Sequence, residues 1–478
     1  MKRFILLSSI IVTTLMGCTE GFEETNTNPN QPEEVSSDLL LATVLSTVAN
    51  SAVTTGWGNG NIVAQLTAKI NFTGFDRYDW GSESGIWNEH YGILPEIDII
   101  LESARAETTK NSSYEGIALI MRSYVFSVLT DNWGDVPFLE AIDGINGNFT
   151  PAYDDQEVIY NAIINDLETA EVLLRAGDPV FGGDLIYGGN TEKWRKFANS
   201  LRLRFLLRIS GRRDVSADIQ AIFNSGVFFA TNQDNAVMIY PATTLIDSWP
   251  VSRGRVGSFD EFRMSETIES VLKGFNDNRL QKWFQPTDNP SDDPNLFVGL
   301  PNGLSEDNAS NFNGGASNVS RLRQSFFFDS PNSVKAAILQ SAEVHFIFAE
   351  AMQRGLISGD AETLYNEGIR LSFEYWDITQ DLGAYLSQNG VAYDGQLETI
   401  ITQKWLASFL VGFEGWYDFR RTGLPSFIVP GSDNVNDDRV PVRFLYPDSE
   451  QTLNSQNFEA VVSKIGGNDI NIKGWWEQ

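Results

Sequence analysis

Apolar residues recur at helical spacing along most of the chain. From Thr191 onward, Trp194, Phe197, Ala198, Leu201, Phe205 and Ile209 fall on one stripe, which predicts an amphipathic helix. Arg195, Lys196, Arg202, Arg204 and Arg208 lie mostly off the stripe and are expected on a solvated or interface face. Ser112-Ser113-Tyr114-Glu115 fits a capping box: the Ser112 hydroxyl caps the first turn and Glu115 reaches back, ahead of an apolar run from Ile117 to Leu129. The pattern predicts further helices at about 38–55, 86–107, 154–175, 214–225, 333–355, 361–376 and 396–411. Helices so closely spaced read as consecutive hairpins, although a tetratricopeptide period of about 34 residues does not repeat cleanly. Strand-like segments are few and short, such as Ala236–Tyr240 and Phe326–Asp329.

The pattern changes twice. Between about 228 and 332, Gly, Asn, Asp, Pro and Ser dominate, with Trp249, Phe259, Phe262, Trp283, Phe284, Phe297 and Phe312 among them. A long insertion with that many aromatics is expected to be ordered and functional. A final loop-rich stretch runs from about 424 to 478, and its Trp475-Trp476 pair is expected to pack on the last hairpin.

At the N-terminus, Lys2 and Arg3 precede a twelve-residue apolar stretch, Phe4 to Leu15. It is too short to span a bilayer and fits the h-region of a signal peptide. Leu15-Met16-Gly17-Cys18 then resembles a bacterial lipobox, with cleavage before Cys18 and lipid on its sulfur and new amino group. Cys18 is the only cysteine, so no internal disulfide can form. Residues 1–17 are read as the signal, 18–37 as lipidated Cys and acidic tether, and 38–478 as one domain carrying the 228–332 insertion.

Charge narrows the function. There are 34 Lys+Arg against 63 Asp+Glu, a net charge of −29, which repels phosphate backbones and argues against nucleic acid. The two histidines, His90 and His345, leave little room for a His-rich metal centre. His345 falls on the inward spacing Ile338, Ala342, Ala349 and is expected in the core, whereas His90, beside Glu89, reads as a surface or turn residue. The Asp288, Asp292 and Asp293 loop and the Asp433–Asp438 loop are oxygen-rich, as calcium requires, but neither fits an EF-hand; both read as solvated acidic loops, and no cofactor is expected. No nucleophile elbow, zinc-protease, Walker or dinucleotide motif occurs. A carboxylate pair of the glycosidase kind is not excluded among so many acids.

Six segments in order resemble one family. They are Asn26-Thr27-Asn28-Pro29-Asn30; Asp131-Asn132-Trp133-Gly134-Asp135-Val136-Pro137-Phe138; Trp194 to Ile209; Ala349-Glu350-Ala351 with Arg354-Gly355; Gln403-Lys404-Trp405 and Glu414-Gly415-Trp416 running to Arg420-Arg421-Thr422-Gly423; and Arg443-Phe444 with Tyr446-Pro447. The family is the SusD/RagB type of nutrient-binding outer-membrane lipoproteins, within it the SusD-like group. The resemblance implies a mainly α fold, in which divergent tetratricopeptide-like helix pairs pack against a loop-rich, low-strand region. It implies a lipid-anchored protein exposed on the outer membrane, partnered with a SusC-like TonB-dependent transporter, that delivers a glycan or oligosaccharide and has no enzymatic activity. The motif residues themselves read as scaffold: Gly134 and Pro137 end a helix, and Arg420, Arg421 and Arg443 are expected to pair with carboxylates.

A glycan site needs aromatic faces for sugar rings and polar side chains for hydroxyls. The stretch Asn71-Phe72-Thr73-Gly74-Phe75-Asp76-Arg77-Tyr78-Asp79-Trp80 lies between two predicted helices. Phe75, Tyr78 and Trp80 are the candidate platforms there, with Asp76, Arg77 and Asp79 for hydroxyls; the competing reading has Phe75 and Trp80 plugging the helical core. The insertion adds Trp249, Trp283, Phe312 and Arg321. The alternatives are the same fold carrying peptides or another nutrient, a surface-anchored glycoside hydrolase, and a helical scaffold that binds only protein.

Overall fold

The computed structural model describes residues 36–289 and 293–478. The signal peptide, Cys18, nearly all of the tether and Asp292 lie outside the described residues.

Helices dominate. The architecture is carried by α1 (Ser37–Thr55), α2 (Ser84–Arg105), α3 (Ser112–Trp133), α4 (Gln156–Ala176), α5 (Thr191–Arg208) and α6 (Ser216–Ser225), then α7 (Glu266–Gly274), α8 (Ser341–Gln353), α9 (Ala361–Tyr375), α10 (Leu397–Ala407), α11 (Glu414–Thr422) and α12 (Ser455–Ile465). From α2 to α5 each helix packs on the next in sequence, and α8 packs on α9 in the same way. Among the described residues, strand is confined to two antiparallel pairs. β1 (Thr67–Lys69) pairs with β3 (Phe262–Met264), Ala68 opposite Arg263; β2 (Ala236–Ile239) pairs with β4 (Lys335–Leu339).

Local chemistry explains most boundaries. α3 is capped by Asn111, whose side chain accepts from the N–H groups of Ser113 and Tyr114, and not by Ser112 as the capping-box spacing predicts. The Ser112 N–H instead meets Asp178, and Glu115 accepts from Arg105. Gly134, at φ 80°, ends α3, and the buried Trp133 indole donates to Leu445 O at 2.8 Å. The segment 326–329 is not a strand: a helical turn, Gln324–Phe327, buries Phe327. The predicted helix at 333–355 begins instead as β4, because its apolar run satisfies either period. Where α1 runs on through Gly56–Gly60, a Cβ on Gly60 would lie 1.8 Å from Gly412 O, so only glycine lets these backbones meet.

The α5 stripe is fully buried from Trp194 to Ile209. Arg195, Lys196 and Arg202 hold carboxylates at its edges. Arg204 and Arg208 do not face solvent. Arg204 forks onto Glu343 of α8, with bonds of 2.7 and 2.6 Å, and Arg208 bridges Asp131 of α3 and Glu414 of α11. A buried guanidinium is tolerable only with such partners, and these come from three other helices. Arg420 and Arg421 also find carboxylates, Glu477 and Glu350. Trp476 is buried beneath Arg420 and donates to Asp131. His345 sits in the core as its spacing predicts; His90, expected at the surface, is also buried, with Nδ1 donating to Ile86 O at 2.8 Å.

Candidate ligand-binding site

β1 ends at Lys69, and the chain turns sharply through the 71–80 segment. Ile70 is buried under Leu300 and Val319, Asn71 is exposed, and Phe72 is 72% exposed. Phe72 stands at φ 56°, a left-handed conformation that a bulky side chain adopts at a cost. The turn is held there by a carboxylate: the N–H groups of Phe72 and Thr73 donate to the two oxygens of Glu306, at 3.0 and 3.1 Å.

Tyr78, Trp80 and Asp76 of the turn face inward. Trp80 is buried, stacks on Phe75 at 4.8 Å and 13°, and meets Trp416 edge-on. These two rings therefore cap the helical core, the competing reading of the pair. Tyr78 is buried, which pushes its phenol pKa up. Asp76 is buried as well, accepting from the Lys69 N–H at 3.1 Å and Asn302 Nδ2 at 2.8 Å. Burial pushes its carboxyl up to about 7 against the pull of those bonds. Asp79 is exposed, and Arg77 is half-buried with Nε donating to Asp433 O.

Three loops lock together around this turn. Asn302 ties Asp76 to Thr67 O, and its own oxygen accepts from Ser265 at the start of α7. The Asp433 carboxylate accepts from the Ser305 N–H and Asn308 Nδ2. A Cβ on Gly431 would lie 1.9 Å from Asn302 O, so the 430s loop reaches the 300s loop backbone to backbone. Phe312 is half-buried on the Ile70–Leu300–Val319 cluster, and Arg321 pairs with Asp260 and Asp288 beside β3.

The structure thus brings Phe75 to Trp80 together with Phe312 and, through β3, Arg321. It puts Trp249 and Trp283 elsewhere. Trp249 is fully buried against Trp57, and Trp283 stacks on Phe409 at 4.3 Å and 5°. Neither offers a face to a ligand. Asp288 and Asp433, from the two oxygen-rich loops, are engaged by Arg321 and by loop donors, and among the described residues no carboxylate, His or Cys cluster suits a metal ion. The residue that sequence reasoning passed over is Phe72. Its only signal was an aromatic between Asn71 and Thr73-Gly74, two positions past Ile70, which follows the strand.

The family model described as starch-binding, associating with outer membrane, matches residues 29–447. The chain belongs to the SusD-like family. A protein of Bacteroides vulgatus, described as a putative outer membrane protein probably involved in nutrient binding, superposes with a TM-score of 0.81 at 27% identity, over 93% of this chain and 100% of that one. A SusD homologue of Bacteroides fragilis gives 0.80 at 26%, over 93% and 100%. A protein described as chitin-binding gives 0.80 at 26%, over 92% and 99%. No curated protein matches the chain. The SusD-like fold is mainly α, as the resemblance implied, and the family's character is glycan binding at the outer membrane.

Proposed function

We propose that this SusD-like chain binds a glycan on the turn around Phe72 and passes it uncleaved to a SusC-like TonB-dependent transporter. The observation that carries the reading is the exposed Phe72 ring on a turn clamped by Glu306. A pinned aromatic offers a sugar face without an ordering cost, and exposed Asn71, Asp79 and Asn308 supply partners for hydroxyls. The family's starch-binding description and the chitin-binding relative support a glycan cargo. Phe75, Asp76, Arg77, Tyr78 and Trp80 act beneath the platform, by fixing its shape, while Phe312 and Arg321 extend its edge.

The anchor is lipid on Cys18, which holds the protein on the outer face of the outer membrane; Cys18→Ser should release it into the soluble fraction. Affinity gels containing starch or soluble chitin derivatives test the cargo, using the chain from residue 37 onward. Retardation that Phe72→Ala abolishes is the expected result. Retardation by none of the sugars, with retention of peptides instead, would overturn the glycan reading, and steady release of reducing ends would overturn the absence of catalysis. Recovery of a TonB-dependent barrel with the protein from detergent-solubilised outer membranes tests the delivery step.

A further inference from the structure

Arg443, like the buried Arg263, lacks the carboxylate partner that Arg204, Arg208 and Arg420 find. It is 4% exposed, yet among the described residues no carboxylate meets it. Its Nε donates to Phe444 O at 3.2 Å, its guanidinium lies over the Tyr446 ring, and Nη2 has no partner among the described residues. A buried cation left in that state is costly, and such a group calls for a counter-charge. Arg443 lines a recess of about 280 Å³ between the start of α4 and the segment after α12.

A second feature of the recess has the same sign. α4 is 21 residues long and begins there, at Gln156. Its N-cap, Asp155, gives no side-chain cap, because its carboxylate is turned to Lys464. Asp135 accepts from the Gln156 N–H and is also held by Lys464. The N–H groups of Glu157 and Val158 make no hydrogen bond among the described residues. An open helix start carries partial positive charge. Of the remaining charged groups on the recess, Lys473 is exposed at the rim with no carboxylate partner among the described residues, and the exposed Glu157 has the opposite sign.

We propose that this recess binds a small oxyanion: sulfate, phosphate, or a carboxylate carried on a sugar. Arg443 supplies the charge, the first N–H groups of α4 supply directed donors, and Lys473 closes the rim. Lys464 pairs with both Asp135 and Asp155 and offsets their charge in part. The site shares no residue with the Phe72 turn and stands whether or not the glycan reading does.

The test is calorimetric titration of the full-length protein in non-ionic detergent with sodium sulfate, sodium phosphate and sodium glucuronate, at fixed chloride. Saturable binding of at least one is expected. Arg443→Gln should weaken it by about tenfold or more, the loss of a charged hydrogen-bonding partner. Two exposed positions keep the test sound if that variant fails to fold: Lys473→Ala should weaken binding and Glu157→Gln should tighten it, each by about threefold. Binding of the inorganic anions assigns the site to free oxyanions, and binding of glucuronate alone assigns it to acidic sugars. No saturable binding of any probe at tens of millimolar overturns the proposal, as does an affinity that neither surface variant changes.

Discussion

Trp283 and Phe72 both come from polar, loop-rich sequence, and they end in opposite environments. Trp283 lies flat on Phe409, a residue 126 positions later, with no exposed surface. Phe72 stands out of the fold on a strained turn held by one carboxylate. The difference lies in what surrounds each backbone. Around Trp283, Trp249, Phe327 and Trp376, other rings close the space, so the insertion is in large part a continuation of the main core rather than a binding face. Around Phe72, the ordering groups are Glu306, Asp76 and Asp433, which hold loop N–H groups and leave the ring free. Aromatic content marks order; only the hydrogen bonds of the backbone separate a platform from a plug.

Substitution breaks this comparison most severely on the buried side. Trp283→Ala should cost about 3–5 kcal/mol of stability, read by denaturant melts, because the stack on Phe409 leaves a cavity. Asp131→Asn should cost a similar amount, about 3–5 kcal/mol, by leaving Arg208 short of a charge in the buried network. On the exposed side the pattern inverts. Phe72→Ala should leave stability within about 0.5 kcal/mol and weaken glycan binding about tenfold, read by affinity gels and melts on the same preparation. Glu306→Gln should have a smaller effect of the same kind, about 1 kcal/mol in binding, by loosening the turn while keeping its shape.

Much of the helical half was legible. The stripe of α5, the starts of α1, α4 and α9 and the turn at Gly134 follow from period and local chemistry. The burial of Arg204 and Arg208 was not legible, because the carboxylates that permit it lie 139 and 206 residues along the chain. The same distance effect hid the fate of Trp249 and Trp283. β4 was hidden by an apolar run that fits strand and helix alike. In the site, the stretch 71–80 stood out for its mixture of rings and charges, but which ring faces outward depends on Glu306, more than two hundred residues away.

Asp76 gives the subtlest test, since it sits between core and platform. Its carboxyl is raised from an ordinary 3.8 to about 7. The folded state therefore holds a proton that the unfolded state gives up, and stability should fall as pH rises from about 4 to about 7, then level off. Asp76→Asn should flatten that slope in melts recorded across this range.

One titration decides whether Phe72, rather than the buried tryptophans, presents the sugar face. Calorimetry would follow the best oligosaccharide from the gel panel into wild type and Phe72→Ala, with unfolding temperature checked for both. A loss of about tenfold or more at unchanged unfolding temperature is expected. Equal affinity in the two proteins would contradict it.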